Sequence, residues 1–389
     1  MTDTIQPCSV WENPPKLRFF GHRLLYLKKC DDFSQTWEDI PEHFGRYFPS
    51  TLCLPRSTVS GPKEGRWFSR QLEEILAGTP RALQITKNFP GIPKSSVMFL
   101  NCLDPVFGHA LYKLAAARSL LGSMENVDIV PLISKQLYFY ASAFDGTIVI
   151  EESLPNLLIP NTNLMDVVLE FASSYTEYSW AMTNASRLGE QSILPSPEFS
   201  RLARNPEKPI ITYIHRDDRT WGLGILFQTL RVNKCFRLLK RNVVGAETAV
   251  IGLSAKKIKY KADYCYLFPS GSYEYEKLLL NLCSKSSCIF GVHGSHMLVP
   301  SYFSHSTVEL QPYKRLGNAV QAYWPNPERH IQEILFCYRV IYGGKGLWNI
   351  SSSMVAMIIA SIVMGIDDFH ERMNSKLIVA HYATPARPS

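Results

Sequence analysis

The sequence predicts an α/β protein with two open, mainly parallel β-sheets preceded by an irregular segment. Two observations support this class. From residue 97 onward, short apolar runs alternate with segments of helical periodicity, and a proline-rich, charged stretch over 196–209 interrupts the alternation. A chain of 389 residues also exceeds the usual size of one domain. The expected segments are an accessory segment over 1–90, a first α/β domain over 91–200, a second over 201–330, and C-terminal helices over 331–389 that pack back on the domains.

The accessory segment is rich in proline and aromatic residues, and its apolar runs are short. This pattern is typical of short strands and loops, with one helix near 71–76. In the first α/β domain, the run Val97–Leu100 predicts a buried strand, and apolar side chains then recur at helical spacing between Phe107 and Leu121. Further strands are predicted over 127–133 and 147–150.

The second domain repeats the alternation after the interruption. A helix is predicted over 273–283. The predicted strands cover 209–214, 248–253, 264–268, 287–292 and 306–310. In an open parallel sheet the loops at the carboxyl ends of the strands usually carry the ligand site, so functional residues are expected there.

The longest apolar run is Met354–Ile366, which is shorter than the ~20 residues that cross a bilayer as a helix. It predicts a buried C-terminal helix, with a peripheral membrane helix as the alternative. Nothing in this run indicates a membrane span.

Composition and charge exclude several classes of protein. With 46% hydrophobic and 19% charged residues, the chain is expected to fold rather than to remain disordered. A net charge of +7 over 389 residues is no nucleic-acid footprint, and the basic run Lys256–Lys261 is expected to be a solvated face. Nine cysteines without a C-x-x-C pair predict free thiols, and with no visible secretory signal they predict a cytoplasmic protein.

The first motif follows the strand at Val97 and contains Asn101, Asp104, Gly108 and His109. A loop between a strand and the helix it feeds presents such side chains to a ligand, and Asp104 or His109 could take a proton from an acceptor hydroxyl. The alternative is structural, because an Asp-Pro pair is also a good helix-capping signature. His109 would then simply pack in the first turn.

The second motif is His215-Arg216-Asp217-Asp218-Arg219, at the end of a predicted strand. Two guanidinium groups in one turn can bind a diphosphate and stabilise the charge on a leaving group. The alternative is a surface network of arginines and aspartates. A divalent metal at the two adjacent aspartates is not favoured, because no third oxygen ligand is evident.

The third motif is a buried strand that breaks into the turn Gly291-Val292-His293-Gly294-Ser295-His296. The glycines permit close approach of the backbone, and amides at the start of the following helix favour phosphate. The His293 and His296 pair lacks the glutamate of a zinc-protease helix, so zinc is not favoured. Glu309 ends the next strand and could accept both hydroxyls of a ribose, or could simply occupy an exposed strand position.

In this order the motifs resemble those of glycosyltransferase family 61. The family pattern starts a helix with Asn…Gly-His-x-Leu, which matches Asn101 and Gly108–Leu111. Its Arg-x-x-Arg matches Arg216 and Arg219, and its Gly-x-His-Gly-x-x-x-Leu matches Gly291–Leu298, followed by the strand with Glu309. The similarity spans about 97–312.

The resemblance implies a GT-B fold, in which two Rossmann-like domains face each other across a cleft. It also implies an inverting sugar transfer from a nucleotide sugar, with a UDP-sugar as the expected donor and no required metal or other cofactor. Arg216, Arg219 and His293 would contact the diphosphate, and Glu309 the ribose. Gly291, Gly294, Ser295 and His296 would complete the donor site, and Asn101, Gly108 and His109 would belong to the acceptor side.

Two positions depart from the family pattern. Ser295-His296 stand where members commonly have a small residue and then glycine, and Lys113 stands where many have an acidic residue. The general base, Asp104 or His109, is therefore left open, and so is a changed donor or lost activity.

The expected function is transfer of a sugar to a hydroxyl of a saccharide or lipid-linked glycan. Capsule, lipopolysaccharide or exopolysaccharide assembly at the inner face of the membrane would use such a reaction, and it would allow peripheral membrane contact. Nucleic acid is not an expected partner. Two alternatives remain: a catalytically silent glycan- or nucleotide-binding protein on the same fold, and a transferase of pyruvyl or phosphoryl groups.

Overall fold

The computed structural model divides the chain into two compact units, 1–197 and 198–389. The boundary lies close to the one expected at residue 200, and most of the predicted linker over 196–209 lies outside the described residues. The structure describes residues 16–30, 34–39, 51–54, 58–61, 66–118, 120–121, 124–152, 157–181, 207–318 and 337–366.

The first unit opens with an antiparallel sheet of five strands in the order β1-β2-β3-β4-β5. Its strands are β1 Leu17–Phe20, β2 Arg23–Cys30, β3 Gln35–Asp39, β4 Thr51–Leu54 and β5 Thr58–Ser60. Helix α1, Arg66–Ala77, covers this sheet by burying Leu72 and Ile75 against Leu25 and Trp37. The helix expected near 71–76 is confirmed, and the segment expected to be irregular forms a regular meander.

The second sheet of this unit has the order β10-β7-β8-β9-β6, with all neighbours parallel except β6 and β9. Its strands are β6 Ile85–Asn88, β7 Ser96–Asn101, β8 Val127–Ser134, β9 Thr147–Ile150 and β10 Glu177–Ala181. Helix α2, Phe107–Arg118, follows β7, and α3, Leu164–Ala172, precedes β10. Helix α2 ends three residues before the predicted end at Leu121.

The second unit contains a six-stranded sheet that is parallel throughout, in the order β13-β12-β11-β14-β15-β16. Its strands are β11 Ile210–Arg216, β12 Glu247–Leu253, β13 Tyr264–Phe268, β14 Ser286–Val292, β15 Thr307–Pro312 and β16 Tyr338–Gly343. The helices are α4 Ile225–Asn242, α5 Tyr273–Lys285, α6 Leu298–Phe303 and α7 over 352–366. The chain builds outward to β13 and then returns to the other side of β11, which is the strand order of the Rossmann fold.

The prediction of an α/β fold with two parallel sheets is confirmed. The expectation that 331–389 contains only helices is wrong, because β16 lies in this segment and pairs with β15 along its whole length. Helix α7 buries Val355, Ile359 and Val363 in the core of the second unit, as expected of the apolar run. Within the described residues no helix has the length and apolar character that a membrane span needs. The described cysteines are all free thiols.

Candidate functional site

The candidate site of the second unit lies where the direction of strand addition reverses. Strands β11 and β14 are parallel neighbours, although 69 residues lie between Arg216, where β11 ends, and Ser286, where β14 begins. The loops that leave two such strands diverge above the sheet, and ligands of open α/β sheets bind in that opening. Loop 217–224 and turn 293–297 therefore meet at this point.

Loop 217–224 is held in place by a buried polar network. Gln228 of α4 accepts a hydrogen bond from the Trp221 amide (3.0 Å) and donates to the Arg216 carbonyl (3.2 Å) and to His215 Nδ1 (2.9 Å). His215 Nδ1 thus accepts, which places the proton on Nε2, where it donates to Asp217 Oδ1 over 2.9 Å. Burial lowers the pKa of His215 against the opposing effect of Asp217, so the ring acts as a neutral structural link.

Arg219 crosses from this loop to the turn after β14. Its Nη1 donates to the His293 carbonyl over 2.9 Å. A Cβ at Gly294 would lie 2.5 Å from this nitrogen, so the missing side chain of glycine makes room for the guanidinium group. Burial lowers the pKa of Arg219, and so do the charges of Arg315 and Arg216, yet an arginine stays charged at neutral pH.

Arg216 makes two contacts, one with a carboxylate and one with an imidazole. Its Nε donates to Asp218 Oδ1 over 2.6 Å, and Nη2 donates to the other oxygen of the same carboxylate. Its Nη1 donates to His296 Nδ1 over 3.2 Å. Burial, followed by the charges of Arg216 and Arg219, lowers the pKa of His296 well below its ordinary value. His296 is therefore neutral and carries its proton on Nε2.

A third arginine adds to the positive charge of the site. Arg315 follows β15, is exposed, and interacts electrostatically with Arg219. Sequence reasoning missed it, although the pair Lys314-Arg315 directly follows the strand with Glu309 and was a signal of the same kind as Arg216 and Arg219. The charges of Arg216 and Arg315 both act on Arg219, and a nearby anion would relieve that repulsion.

His293 and Glu309 form a buried pair beneath the turn. His293 Nδ1 lies 2.8 Å from Glu309 Oε2, and both side chains are almost fully buried. The ring nitrogen that does not contact Glu309 is Nε2. The sequence suggested a ribose contact or an exposed strand position for Glu309, whereas the structure buries its side chain against His293.

Several buried polar atoms of this site have no hydrogen-bond partner among the described residues. They are His293 Nε2, His296 Nε2, Glu309 Oε1 and Gln311 Oε1. Buried polar atoms are rarely left unpaired, and a polar ligand is one of the ways in which they become satisfied. The neutral His296 ring offers an N–H donor beside two arginines, which suits an anionic oxygen.

Gly291 and Ser295 have different places from those that the sequence suggested. Gly291 lies inside β14, and a Cβ there would lie 2.7 Å from Met297 Sδ, so this glycine serves the packing of the turn on the sheet. Ser295 opens a short 3-10 turn that leads into α6, which has only six residues. The helix expected after the turn is present as α6 but is short, and the polar groups described above that meet at this point are side chains.

In the first unit, the structure brings Asn101 together with a residue that the sequence did not single out. Asn101 Nδ2 donates to the His22 carbonyl (3.0 Å), and Asn101 Oδ1 accepts from the Leu103 amide (3.2 Å). The amide thus joins the first sheet of this unit to the end of β7. Both ends of the Asn101 side chain are thus engaged in structural hydrogen bonds.

Asp104, His109 and Lys113 form a cluster at the start of α2, and Gly108 lies buried in the same first turn. Asp104 Oδ1 accepts from the Val106 amide (2.8 Å), as expected of a capping residue, and lies 3.4 Å from His109 Nδ1. Lys113 Nζ donates to the Leu103 carbonyl (2.8 Å) and lies 3.8 Å from Asp104 Oδ2. Asp104 and Lys113 are buried, whereas 18% of the His109 side chain is exposed. His109 is the one of the two proposed bases that a substrate can reach.

Within the described parts of the chain, no three His, Cys, Asp or Glu side chains are grouped as a metal would need. The histidines that suggested zinc are used otherwise, since His293 Nδ1 binds Glu309 and His296 Nδ1 binds Arg216. The two adjacent aspartates also separate, with Asp217 on His215 and Asp218 on Arg216.

No protein-family model and no curated protein matches the chain, whereas the solved structures that it is similar to include two heptosyltransferases. The E. coli ADP-heptose lipopolysaccharide heptosyltransferase II is similar over 70% of this chain and 99% of its own, with 9% identity and a TM-score of 0.42. The E. coli heptosyltransferase WaaC with ADP is similar over 68% of this chain and 96% of its own, with 10% identity and a TM-score of 0.35. Likenesses this distant do not transfer a function, which has to be argued from the residues of this chain.

Proposed function

We propose that the protein is an inverting glycosyltransferase, similar to family 61, that binds the diphosphate of a nucleotide sugar at the carboxyl ends of β11 and β14. The observation that carries this proposal is the meeting of Arg216 and Arg219 with the turn at His293 and Gly294, at the point where strand order reverses. Convergent arginines at such a point fit two linked phosphates.

The chemistry asks two things of the protein. As the sugar leaves the nucleotide, negative charge grows on the diphosphate, and preorganised guanidinium groups stabilise that charge. Arg216 and Arg219 supply them, with His296 Nε2–H as a neutral donor beside them. Because the charge is neutralised by side chains, no metal is needed in this proposal.

The second requirement is a base for the acceptor hydroxyl. We assign this role to His109, whose Nδ1 faces Asp104 Oδ1 at 3.4 Å. The imidazole takes the hydroxyl proton while the hydroxyl oxygen bonds to the sugar carbon and the nucleoside diphosphate departs with its electron pair. In this proposal Asp104 helps to orient the ring.

The acceptor that we propose is a saccharide or lipid-linked glycan used in capsule, lipopolysaccharide or exopolysaccharide assembly. Nucleotide sugars are made in the cytoplasm, and that is where the reaction would take place. The proposed donor class is a nucleotide sugar, and UDP-sugars are the first to test.

Calorimetric titration with nucleoside diphosphates tests the donor site. We expect binding by the wild type, and a roughly 10- to 100-fold weaker affinity for Arg216→Ala and Arg219→Ala, since a hydrogen bond to a charged group contributes about 1.5–3 kcal/mol. Lys277→Ala, which removes an exposed charge from α5, is the matched control and should bind as the wild type does. Binding that none of these variants changes would place the nucleotide elsewhere.

Hydrolysis of the bound nucleotide sugar then separates an enzyme from a silent binder. An enzyme should release nucleoside diphosphate slowly, and His109→Gln should abolish the release while leaving nucleotide affinity unchanged. Nucleotide binding without turnover on any acceptor would identify a silent binder. A preference for phosphoenolpyruvate or a nucleoside triphosphate would instead identify the non-glycosyl transferase.

A further inference from the structure

Helix α4 of the second unit has an unusual distribution of charge. It contains five basic residues and no acidic one. One side of the helix packs in the core through Val232, Cys235, Phe236 and Leu239. The opposite side is exposed over its whole length, and the proposed reaction does not use it.

The N-terminal end of this exposed side is apolar. Leu223, Leu226 and Leu230 are 72%, 71% and 59% exposed. Phe227 is 44% exposed and packs edge-to-face on Trp348, which is 40% exposed, with the ring centres 5.6 Å apart. We call these five side chains the apolar tip. An exposed apolar patch of this kind marks a surface that interacts with a protein, a membrane or a ligand.

The C-terminal end of the same side is basic. Lys234, Arg237 and Arg241 are exposed, and they lie 8, 11 and 15 positions after Leu226, which places them on the side of the helix that carries Leu226 and Leu230. Lys240 is not counted with these three, because its Nζ forms an ion pair with Asp263 Oδ1 at 2.6 Å. The outward surface of α4 thus changes from apolar to cationic along its length.

The basic run Lys256–Lys261 extends this charged surface. The Lys261 amide donates to Asn233 Oδ1 of α4 over 2.8 Å, so the run lies beside the helix. Lys256, Lys257, Lys259 and Lys261 are all exposed. We call these lysines and the three basic residues of α4 the basic band.

We propose that this face of the protein docks on an anionic lipid surface. The apolar tip would enter the headgroup region, and the basic band would lie against the lipid phosphates. The apolar tip would contribute burial of apolar side chains, and the basic band would contribute attraction to anionic lipids. Amphipathic helices bind membranes through the same two interactions. Loop 217–224 leads directly into α4, so docking would hold the arginines of the candidate site close to the lipid.

The two other possible occupants explain less of this surface. A nucleic acid would neutralise the basic band but would leave the leucines of the apolar tip in water. A second copy of the chain, paired through the same face, would bring two basic bands together without acidic partners on α4. Of the three occupants, only a lipid surface would contact both the apolar tip and the basic band favourably. This inference does not depend on which reaction the protein catalyses.

Vesicle flotation with the full chain tests the proposal. Vesicles of phosphatidylcholine alone are compared with vesicles that also contain phosphatidylglycerol, and we expect binding only to the second kind, weakened by salt. Lys234→Glu/Arg237→Glu should lower the partition coefficient at least about 30-fold, because each basic residue near the lipid surface contributes roughly fivefold. Leu226→Gln/Leu230→Gln should lower it about tenfold or more, because the two leucines no longer insert.

Two control variants match these changes in chemistry and exposure. Lys277→Glu/Lys285→Glu alters two exposed lysines of α5, and Met357→Gln/Met364→Gln alters two exposed apolar residues of α7. Both should bind vesicles as the wild type does, and all four variants should keep the wild-type melting temperature. Failure of the wild type to bind anionic vesicles would overturn the proposal. Equal reductions of vesicle binding in the control variants would also overturn it. The same holds if the α4 variants change binding to single-stranded RNA, or self-association, without changing vesicle binding.

Discussion

The carboxylate of Asp218 accepts hydrogen bonds from the guanidinium group of Arg216, with Nε and Oδ1 2.6 Å apart. A diphosphate would need the same N–H groups, so Asp218 competes with the ligand for Arg216. The side chains of the pair are 26% and 57% exposed, and an ion pair this open to solvent contributes at most about 1 kcal/mol. An incoming anion with two or more charges can therefore displace it.

Asp218→Asn should tighten nucleotide binding. The change removes the competing charge and keeps the size of the side chain, so we expect a roughly fivefold lower dissociation constant at low salt, equivalent to about 1 kcal/mol. Calorimetric titration at two salt concentrations measures it. Glu274→Gln removes the same charge from an exposed position of α5 and should have no effect. Unchanged or weaker binding by Asp218→Asn would mean that Arg216 does not contact the ligand.

Gly294→Ala should damage the site with little effect on the rest of the fold. The added Cβ would lie 2.5 Å from Arg219 Nη1 and 3.1 Å from His296 Nδ1, so the guanidinium group must move away from the His293 carbonyl. We expect roughly tenfold weaker nucleotide binding, since one charge-assisted hydrogen bond contributes about 1.5–3 kcal/mol. Gly91→Ala is the control, because its Cβ would meet nothing within 4 Å. Equal affinities in the two variants would contradict this account of Gly294.

His293 and Glu309 should behave as one unit in nucleotide binding. Glu309 is buried, and its carboxylate contacts His293 Nδ1. We expect His293→Gln and Glu309→Gln each to weaken binding, and the double variant to bind little worse than either. A coupling free energy of about 0.5–3 kcal/mol is typical of residues in direct contact. Additive effects would show that Glu309 acts by another route.

Acid should destabilise the protein through His22. Burial lowers the pKa of His22 from 6.5 to about 3, and the charges of Arg23 and Lys113 add to that effect, while Asp104 opposes it. Because the unfolded state binds the proton more tightly, the stability contribution is complete above pH 6.5 and is lost as the pH falls toward 3. At pH 5 the loss is about 2 kcal/mol.

Chemical denaturation between pH 7 and pH 4 measures this effect as the difference between the wild type and His22→Gln. The variant should show the shallower decline, since it lacks the titrating ring. Parallel curves for the two proteins would contradict a buried, neutral His22.

The fold was predictable because its central strands are buried on both faces. Such strands are nearly continuous apolar runs, and β7, β8, β11 and β14 were predicted for that reason. The strands that were missed, β6, β10 and β16, lie at the edges of their sheets and are half exposed. An edge strand such as Glu177–Ala181 begins with exposed residues and has no such pattern.

The candidate site was predictable only where a motif is contiguous in the sequence. Arg216, Arg219 and His293 each follow a strand within a short motif. Gln228 could not be found in this way, because it reaches the site from a helix. Arg315 follows the strand with Glu309, so its signal was present in the sequence and was overlooked. The role of Glu309 required the structure too, because only its burial shows that it serves His293.

Loop 217–224 is hydrogen-bonded to residues 346–350, which come much later in the sequence. Trp221 Nε1 donates to the Ile350 carbonyl over 3.0 Å, 129 residues later, and the Gly222 amide donates to the Gly346 carbonyl over 2.9 Å. Arg231 binds the Leu347 carbonyl in the same segment. During synthesis, the two arginines of the site therefore leave the ribosome long before the residues that fix their loop. The loop of the candidate site can be fixed in place only after residues 346–350 have been translated, and premature termination before residue 346 would yield a chain in which these hydrogen bonds cannot form.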